Sequence, residues 1–240
     1  MDYQDPNIAA IYDLANPMAQ DAEFYLSLAA QESCNVLDLG CGTGTLCCAL
    51  AERGHRVIGV EPSMAMLAVA RSKPFAERVE WVQSSAQAYR SQRQFELIVM
   101  TGHVFQVFLT DAEVLAALET MRRHLAEHGR IAFESRNRQM SWVGKWNAKS
   151  RMLSGGQISE TLTVTGVAEE FISFRTLYRT PDGILTTSST LRFPSREHIE
   201  ALIGHSGLAI RETFGDWNAS PFDPTRSPEM IFIVEGAKNE

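Results

Sequence analysis

Three glycines within five residues, Gly40, Gly42 and Gly44, break an apolar run, and a lone carboxylate, Glu61, ends the next apolar run. Glycine permits φ > 0 and places no Cβ between the backbone and a ligand. A helix that starts just after such a bend turns free N–H groups into the gap. A carboxylate at the neighbouring strand tip can accept hydrogen bonds from both hydroxyls of a ribose. Each bond to a charged group is worth about 1.5–3 kcal/mol. The pair therefore points to a ligand that carries an adenosine.

Asp38 narrows the ligand further. The dinucleotide fingerprint asks for Gly or Ala at its third position, and counting from Gly40 that position is Thr45. A carboxylate just before the bend would repel a pyrophosphate. It suits a ligand with an ammonium group, which S-adenosylmethionine has and NAD lacks.

These residues need elements to hold them. Apolar runs at 35–39, 55–61, 78–83, 95–100 and 130–135 read as buried strands. Helical spacing fills 43–54 and 63–73, with Ser63 as N-cap, and resumes at Asp111, which is expected to cap a helix ended by Gly129. Apolar strands alternating with helices give a doubly wound, parallel α/β sheet covered on both faces. The segment 136–156 is polar, basic and tryptophan-bearing, and reads as a loop or short helix. Three β-rich runs follow at 158–166, 167–179 and 183–194, the last two joined by a Thr-Pro-Asp-Gly turn at 180–183. They form an antiparallel meander. A helix at 195–207 and strands at 208–216 and 229–236 complete the chain.

The 240 residues carry a formal net charge of −7, with 45% hydrophobic and 21% charged residues. That is an ordinary globular composition, and its acidity argues against a nucleic-acid partner. No apolar window of membrane-spanning length occurs. The amino-terminal stretch has neither a basic start nor an apolar signal core, which points to the cytoplasm. Cys34, Cys41, Cys47 and Cys48 form no CxxC pair and read as thiols in a reducing compartment. No cluster has metal-ligand spacing.

The stretch VLDLGCGTG followed by GVEPS resembles the first two motifs of class I S-adenosylmethionine-dependent methyltransferases. VEWVQSSAQAY falls where the family's adenine-edge motif lies, with Ser84-Ser85-Ala86 in place of the usual Gly-Asp-Ala. FELIVMTGHVFQVFLTD is similar to strand four and its loop in a bacterial subfamily that acts on small molecules. The resemblance implies a Rossmann-like, mostly parallel seven-stranded sheet with a small antiparallel β-meander inserted. It places the cofactor-binding core at 1–136 and 195–240 and an inserted lid at 137–194. It implies S-adenosylmethionine as cofactor, held by Asp38, Gly40, Cys41, Gly42, Gly44, Glu61, Pro62, Met66, Ser85, Ala86, Thr101 and Gly102.

Methyl transfer from a sulfonium is an in-line displacement, so the protein must aim the acceptor, exclude water and take up a proton. His103 follows strand four and is the candidate base, with a helix-capping or core histidine as the alternative. Glu134 and Arg136 straddle the end of strand five, to bind an acceptor or to pair with each other on the rim. Tyr12 belongs to an amino-terminal helix that in similar enzymes folds over the cofactor. Trp142 and Trp146, four apart, share a face of a docking helix, and Trp217 is a candidate pocket wall. His124, His128, His198 and His205 read as surface residues. The Asn/Asp-Pro-Pro-aromatic tetrad of nucleobase methylation is missing after strand four, where Met100-Thr101-Gly102-His103 stands. The expected acceptor is a small molecule, with a protein side chain as the runner-up. The meander offers an edge on which a homodimer could form. The competing readings are an NAD-dependent oxidoreductase and a non-catalytic S-adenosylmethionine-binding protein.

Overall fold

The computed structural model describes residues 3–18, 20–29, 32–147 and 149–237. The remaining residues of the expected core (1, 2, 19, 30, 31 and 238–240) and residue 148 of the expected insertion lie outside the described residues. Two helices, α1 (Pro6–Ala15) and α2 (Gln20–Leu28), lead into β1 (Asn35–Leu39), α3 (Thr45–Glu52), β2 (Arg56–Val60), α4 (Met64–Ala70) and β3 (Val79–Val82). Then come β4 (Phe95–Met100), α5 (Asp111–His124), β5 (Leu125–Arg136) and the short α6 (Trp142–Trp146). The strands β6 (Lys149–Met152), β7 (Ser159–Ala168), β8 (Phe171–Thr180) and β9 (Gly183–Arg192) follow, and then α7 (Arg196–His205), β10 (Leu208–Phe214) and β11 (Glu229–Gly236).

Seven strands form one sheet in the order β10-β11-β5-β4-β1-β2-β3, parallel except where β11 pairs with its two neighbours. The inner strands are buried along most of their length, because helices cover both faces. From β1 the chain crosses to β2 on one side and later to β4 on the other. That reversal opens a crevice at the carboxyl ends of β1 and β4, where open α/β sheets bind ligands.

The second sheet is antiparallel, in the order β6-β7-β8-β9. It has one strand more than the sequence pattern suggests. β6 is exposed at every position, so it has no apolar alternation to betray it. The expected turn is present: Thr180 pairs with Gly183, and Gly183 takes a φ of 144° that glycine tolerates.

Several boundaries differ from the sequence reading. The N-cap of α5 is Thr110, which forms a reciprocal capping box with Glu113. Asp111 instead meets Arg192 at 2.8 Å and His198 at 2.9 Å. The helix stops at His124, and β5 starts at once. Gly129 is therefore not a helix terminator: a Cβ there would lie 2.7 Å from the Phe95 carbonyl oxygen, inside the irregular β4–β5 pairing. His124 is buried, not on the surface; its Nε2 accepts the Ser91 N–H at 3.0 Å. Trp217 packs against Phe24 and Tyr25 and is not among the residues that line the two cavities beside the strand tips.

Candidate functional site

The glycine bend is fastened to β2, since the N–H groups of Gly40 and Cys41 both donate to the Val60 carbonyl, at 2.7 and 3.1 Å. Its glycines have different reasons to be glycine. At Gly44, with φ 72°, a Cβ would overlap the Trp81 ring. At Gly40 it would come within 2.8 Å of the Val104 side chain. At Gly42, with φ 55°, nothing lies within 4 Å of that position. Gly42 opens on a cavity of about 130 Å³ that Asp38, Gly40, Cys41, Thr101 and Gly102 also line.

Asp38 is buried, and its Oδ2 accepts a hydrogen bond from the Cys47 thiol at 3.3 Å. Its Oδ1 has no partner among the described residues. Burial pushes its pKa up to about 7, opposed by the Cys47 bond and reinforced by Glu61. A buried carboxylate oxygen left unpaired at a cavity wall calls for a cation. Glu61 is also buried, with Oε1 accepting the Ser63 N–H at 2.9 Å and Oε2 the Gly42 N–H at 3.2 Å. Burial raises its pKa against those two bonds.

The segment just past the tip of β2 is covered by the chain's own amino-terminal residues. The Ser63 hydroxyl donates to the Tyr3 carbonyl, and the Gln4 side chain donates to the Pro62 carbonyl at 3.4 Å. Glu61, Pro62, Ser85 and Ala86 lie outside the cavity lining. The Ser85 hydroxyl accepts the Ala88 N–H at 3.2 Å. Met66, expected beside an adenine, is instead packed in the core at 2% exposure and lines none of the cavities described. Helix α1 is latched to the bend. Asp13 accepts from the Thr43 hydroxyl at 2.5 Å and meets Lys73 Nζ at 2.6 Å.

A second cavity, about 340 Å³, lies between α1, the tip of β4 and the second sheet. It shares Tyr12, Asn16 and Gly102 with the first. His103 and Arg136 line it, with Trp146 and Phe174 among its walls. His103 adopts a left-handed φ of 61°, which its buried partner supports: the His103 N–H donates to Glu134 Oε1 at 2.5 Å. The Tyr25 hydroxyl donates to the other oxygen of Glu134. The His103 ring Nε2 lies 2.9 Å from Glu229 Oε2. Burial and the nearby Arg136 charge depress the His103 pKa to about 3, so this contact is a hydrogen bond with a neutral imidazole rather than an ion pair. Burial raises Glu229 to about 7 and Tyr12 to about 12.

Glu134 and Arg136 do not pair with each other among the described residues. Glu134 is consumed by Tyr25 and His103, whereas Arg136 sits over the rings of Trp142 and Trp146, at 5.5 and 5.0 Å. Tyr25, Asp13, Gln106 and Glu229 were not singled out from sequence. Of these only Glu229 carried a signal: like Glu61, it is a lone carboxylate at the border of an apolar run.

The residues fit an S-adenosylmethionine: an unpaired buried carboxylate oxygen for its ammonium group, and a bend with open space at Gly42. The comparisons agree. Residues 36–129 match the methyltransferase domain family. The cypemycin N-terminal methyltransferase of Streptomyces sp is 25% identical over 203 residues, 83% of this chain and 82% of that protein. The CcbJ methyltransferase of Streptomyces caelestis shares the fold with a TM-score of 0.81 at 22% identity, over 98% of each chain. CalS10 of Micromonospora echinaspora, an amino pentose methyltransferase solved with S-adenosylmethionine bound, gives a TM-score of 0.66 at 19% identity over 94% of each chain. Residues 36–129 carry a methyltransferase domain, and the chain as a whole shares the fold of solved methyltransferases, one of them with S-adenosylmethionine bound.

Proposed function

We propose that the protein transfers the methyl group to a small molecule seated in the second cavity. The observation that carries this reading is the junction of the two cavities at Tyr12, Asn16 and Gly102. A volume of about 340 Å³ suits a small ligand and excludes a folded protein surface.

In this reading Asp38 holds the donor's ammonium group through its unpaired oxygen, and Glu61, already aimed by two backbone N–H groups, accepts the ribose hydroxyls. Ser85 and Ala86 border the adenine, and Gly42 leaves room for the donor's chain. The donor, when bound, supplies an electrophilic methyl on a sulfonium. Tyr12 and Gly102 border the passage between the cavities and align what lies on either side. The bond to Glu229 fixes the His103 tautomer that carries its proton on Nε2. Its Nδ1 lone pair is then available to the N–H or O–H of the acceptor. Residues 137–194 act as an inserted lid: Trp146 and Phe174 close one side of the cavity and exclude water, as α1 does on the other.

Incubating the protein with methyl-labelled S-adenosylmethionine and a size-fractionated bacterial extract tests the acceptor class. Label is expected in the fraction below roughly 1 kDa, within the size of ligand such a pocket takes. Label confined to protein or nucleic acid would overturn the reading.

A further inference from the structure

The acceptor cavity is cationic in an acidic chain. The protein's formal net charge is −7, yet Arg136, Lys145, Lys149 and Arg151 line this one cavity against one lining carboxylate, Glu160, with the buried Glu229 and Glu134 outside the lining but near enough to favour the Arg136 charge, an excess of cations still. Arg151 takes that carboxylate at 2.5 Å. Arg136, Lys145 and Lys149 form no ion pair among the described residues. An excess of like charge around one space costs stability unless something of opposite sign enters it.

Arg136 is the best placed of the three. Its guanidinium rests over two neighbouring aromatic rings, Trp142 and Trp146, and makes one side-chain hydrogen bond, from Nη1 to the neutral Gln106 oxygen at 3.0 Å. That leaves donors of a rigid planar fork unspent at the cavity wall, in the geometry that matches a carboxylate. Lys145 and Lys149 are exposed and add field rather than a fixed contact. The rest of the wall is largely apolar or aromatic, with Ile8, Leu162, Leu191 and Phe174. The aromatic rings alone would also suit a cationic ligand, but three unpaired positive charges oppose one.

We propose that the methyl acceptor is an apolar small molecule bearing a carboxylate, and that Arg136 binds that carboxylate. This rests on the reading that the second cavity is the acceptor site. Arg136 orients the acceptor from one end, and His103, on the same cavity, faces the atom to be methylated.

Three probes with one body separate the possibilities: 3-phenylpropanoate, its methyl ester and 3-phenylpropylammonium. Each is titrated into the protein saturated with S-adenosylhomocysteine and followed by tryptophan fluorescence, since Trp142 and Trp146 lie beside Arg136. The carboxylate is expected to bind saturably, at least tenfold more tightly than the other two, and more weakly as salt is added. Arg136→Gln should remove at least tenfold from carboxylate affinity and leave the ester unchanged, with partial recovery in Arg136→Lys. The ranking of the probes on the unaltered protein stands without any variant. Absence of saturable carboxylate binding, or an ester or ammonium that binds as tightly, overturns the proposal. So does an Arg136→Gln protein that binds the carboxylate as before. Calorimetric titration with S-adenosylhomocysteine runs alongside. If the unaltered protein takes none, it is the donor-site assignment that fails, whatever the probes show.

Discussion

At the residue scale the two buried carboxylates proposed to hold the donor, Asp38 and Glu61, make separable predictions. Glu61→Ala is expected to weaken S-adenosylmethionine binding at least tenfold, about 1.4 kcal/mol, and unchanged affinity in a calorimetric titration would remove Glu61 from the ribose. Asp38 adds a dependence on pH. Its pKa stands near 7 in the free protein, and a bound ammonium group favours the ionised form. Affinity for the donor should therefore climb as pH rises through about 7, level off above it, and flatten in Asp38→Asn. For folding the sign is opposite. Between its ordinary value of 3.8 and about 7 the folded state holds the proton that the unfolded chain releases, so this contribution to stability falls as pH rises. His103 acts the other way: unfolded chains protonate it below about 6.5 while the folded protein does not, so stability rises with pH between about 3 and 6.5. In turnover, a limb near neutrality in kcat belongs to Glu229, whose pKa is about 7, and not to His103. Glu229→Gln should abolish that limb, whereas Asp38→Asn should act on the KM for the donor.

At the scale of elements, the bend and the helix that closes over it can be tested apart. Gly42→Val puts bulk where nothing lies within 4 Å, but at a φ of 55° that a branched side chain resists, so Tm should fall while the far-ultraviolet circular dichroism of the sheet is retained and donor binding is lost. Asp13→Ala cuts the latch between α1, Thr43 and Lys73 and should speed donor dissociation in a stopped-flow chase. Local pattern made most elements legible. The bounds of β1, β4 and β11 can be read from apolar runs, and the bend from its glycines. What stayed hidden depends on contacts between distant residues. β6 has no buried face, so alternation cannot reveal it. Residues 125–129 read as the end of a helix, because their own spacing says nothing of the Phe95 carbonyl that demands Gly129. His103 and Glu229 meet across 126 positions of chain, and Tyr25 and Glu134 across 109, which no local motif encodes. Arg136 could be placed at a strand tip, but not over two tryptophans.

For the whole molecule, donor binding should appear as stability. A ligand at a hundredfold its Kd adds about 2.7 kcal/mol, and a chain of this size gains about 2–4 °C in Tm per kcal/mol. S-adenosylhomocysteine at that excess is thus expected to raise Tm by about 5 °C or more. NAD should leave it unmoved, and Asp38→Asn should erase the shift. The wall shared by the two cavities has a kinetic consequence. Because Tyr12 and Asn16 belong to both, and α1 that carries Tyr12 is latched over the bend, an occupied acceptor chamber holds that helix in place. Substrates should then arrive in a compulsory sequence, donor first, and the demethylated nucleoside should depart last. Product inhibition competitive between S-adenosylhomocysteine and S-adenosylmethionine, with every other pairing non-competitive, is the steady-state signature of that queue.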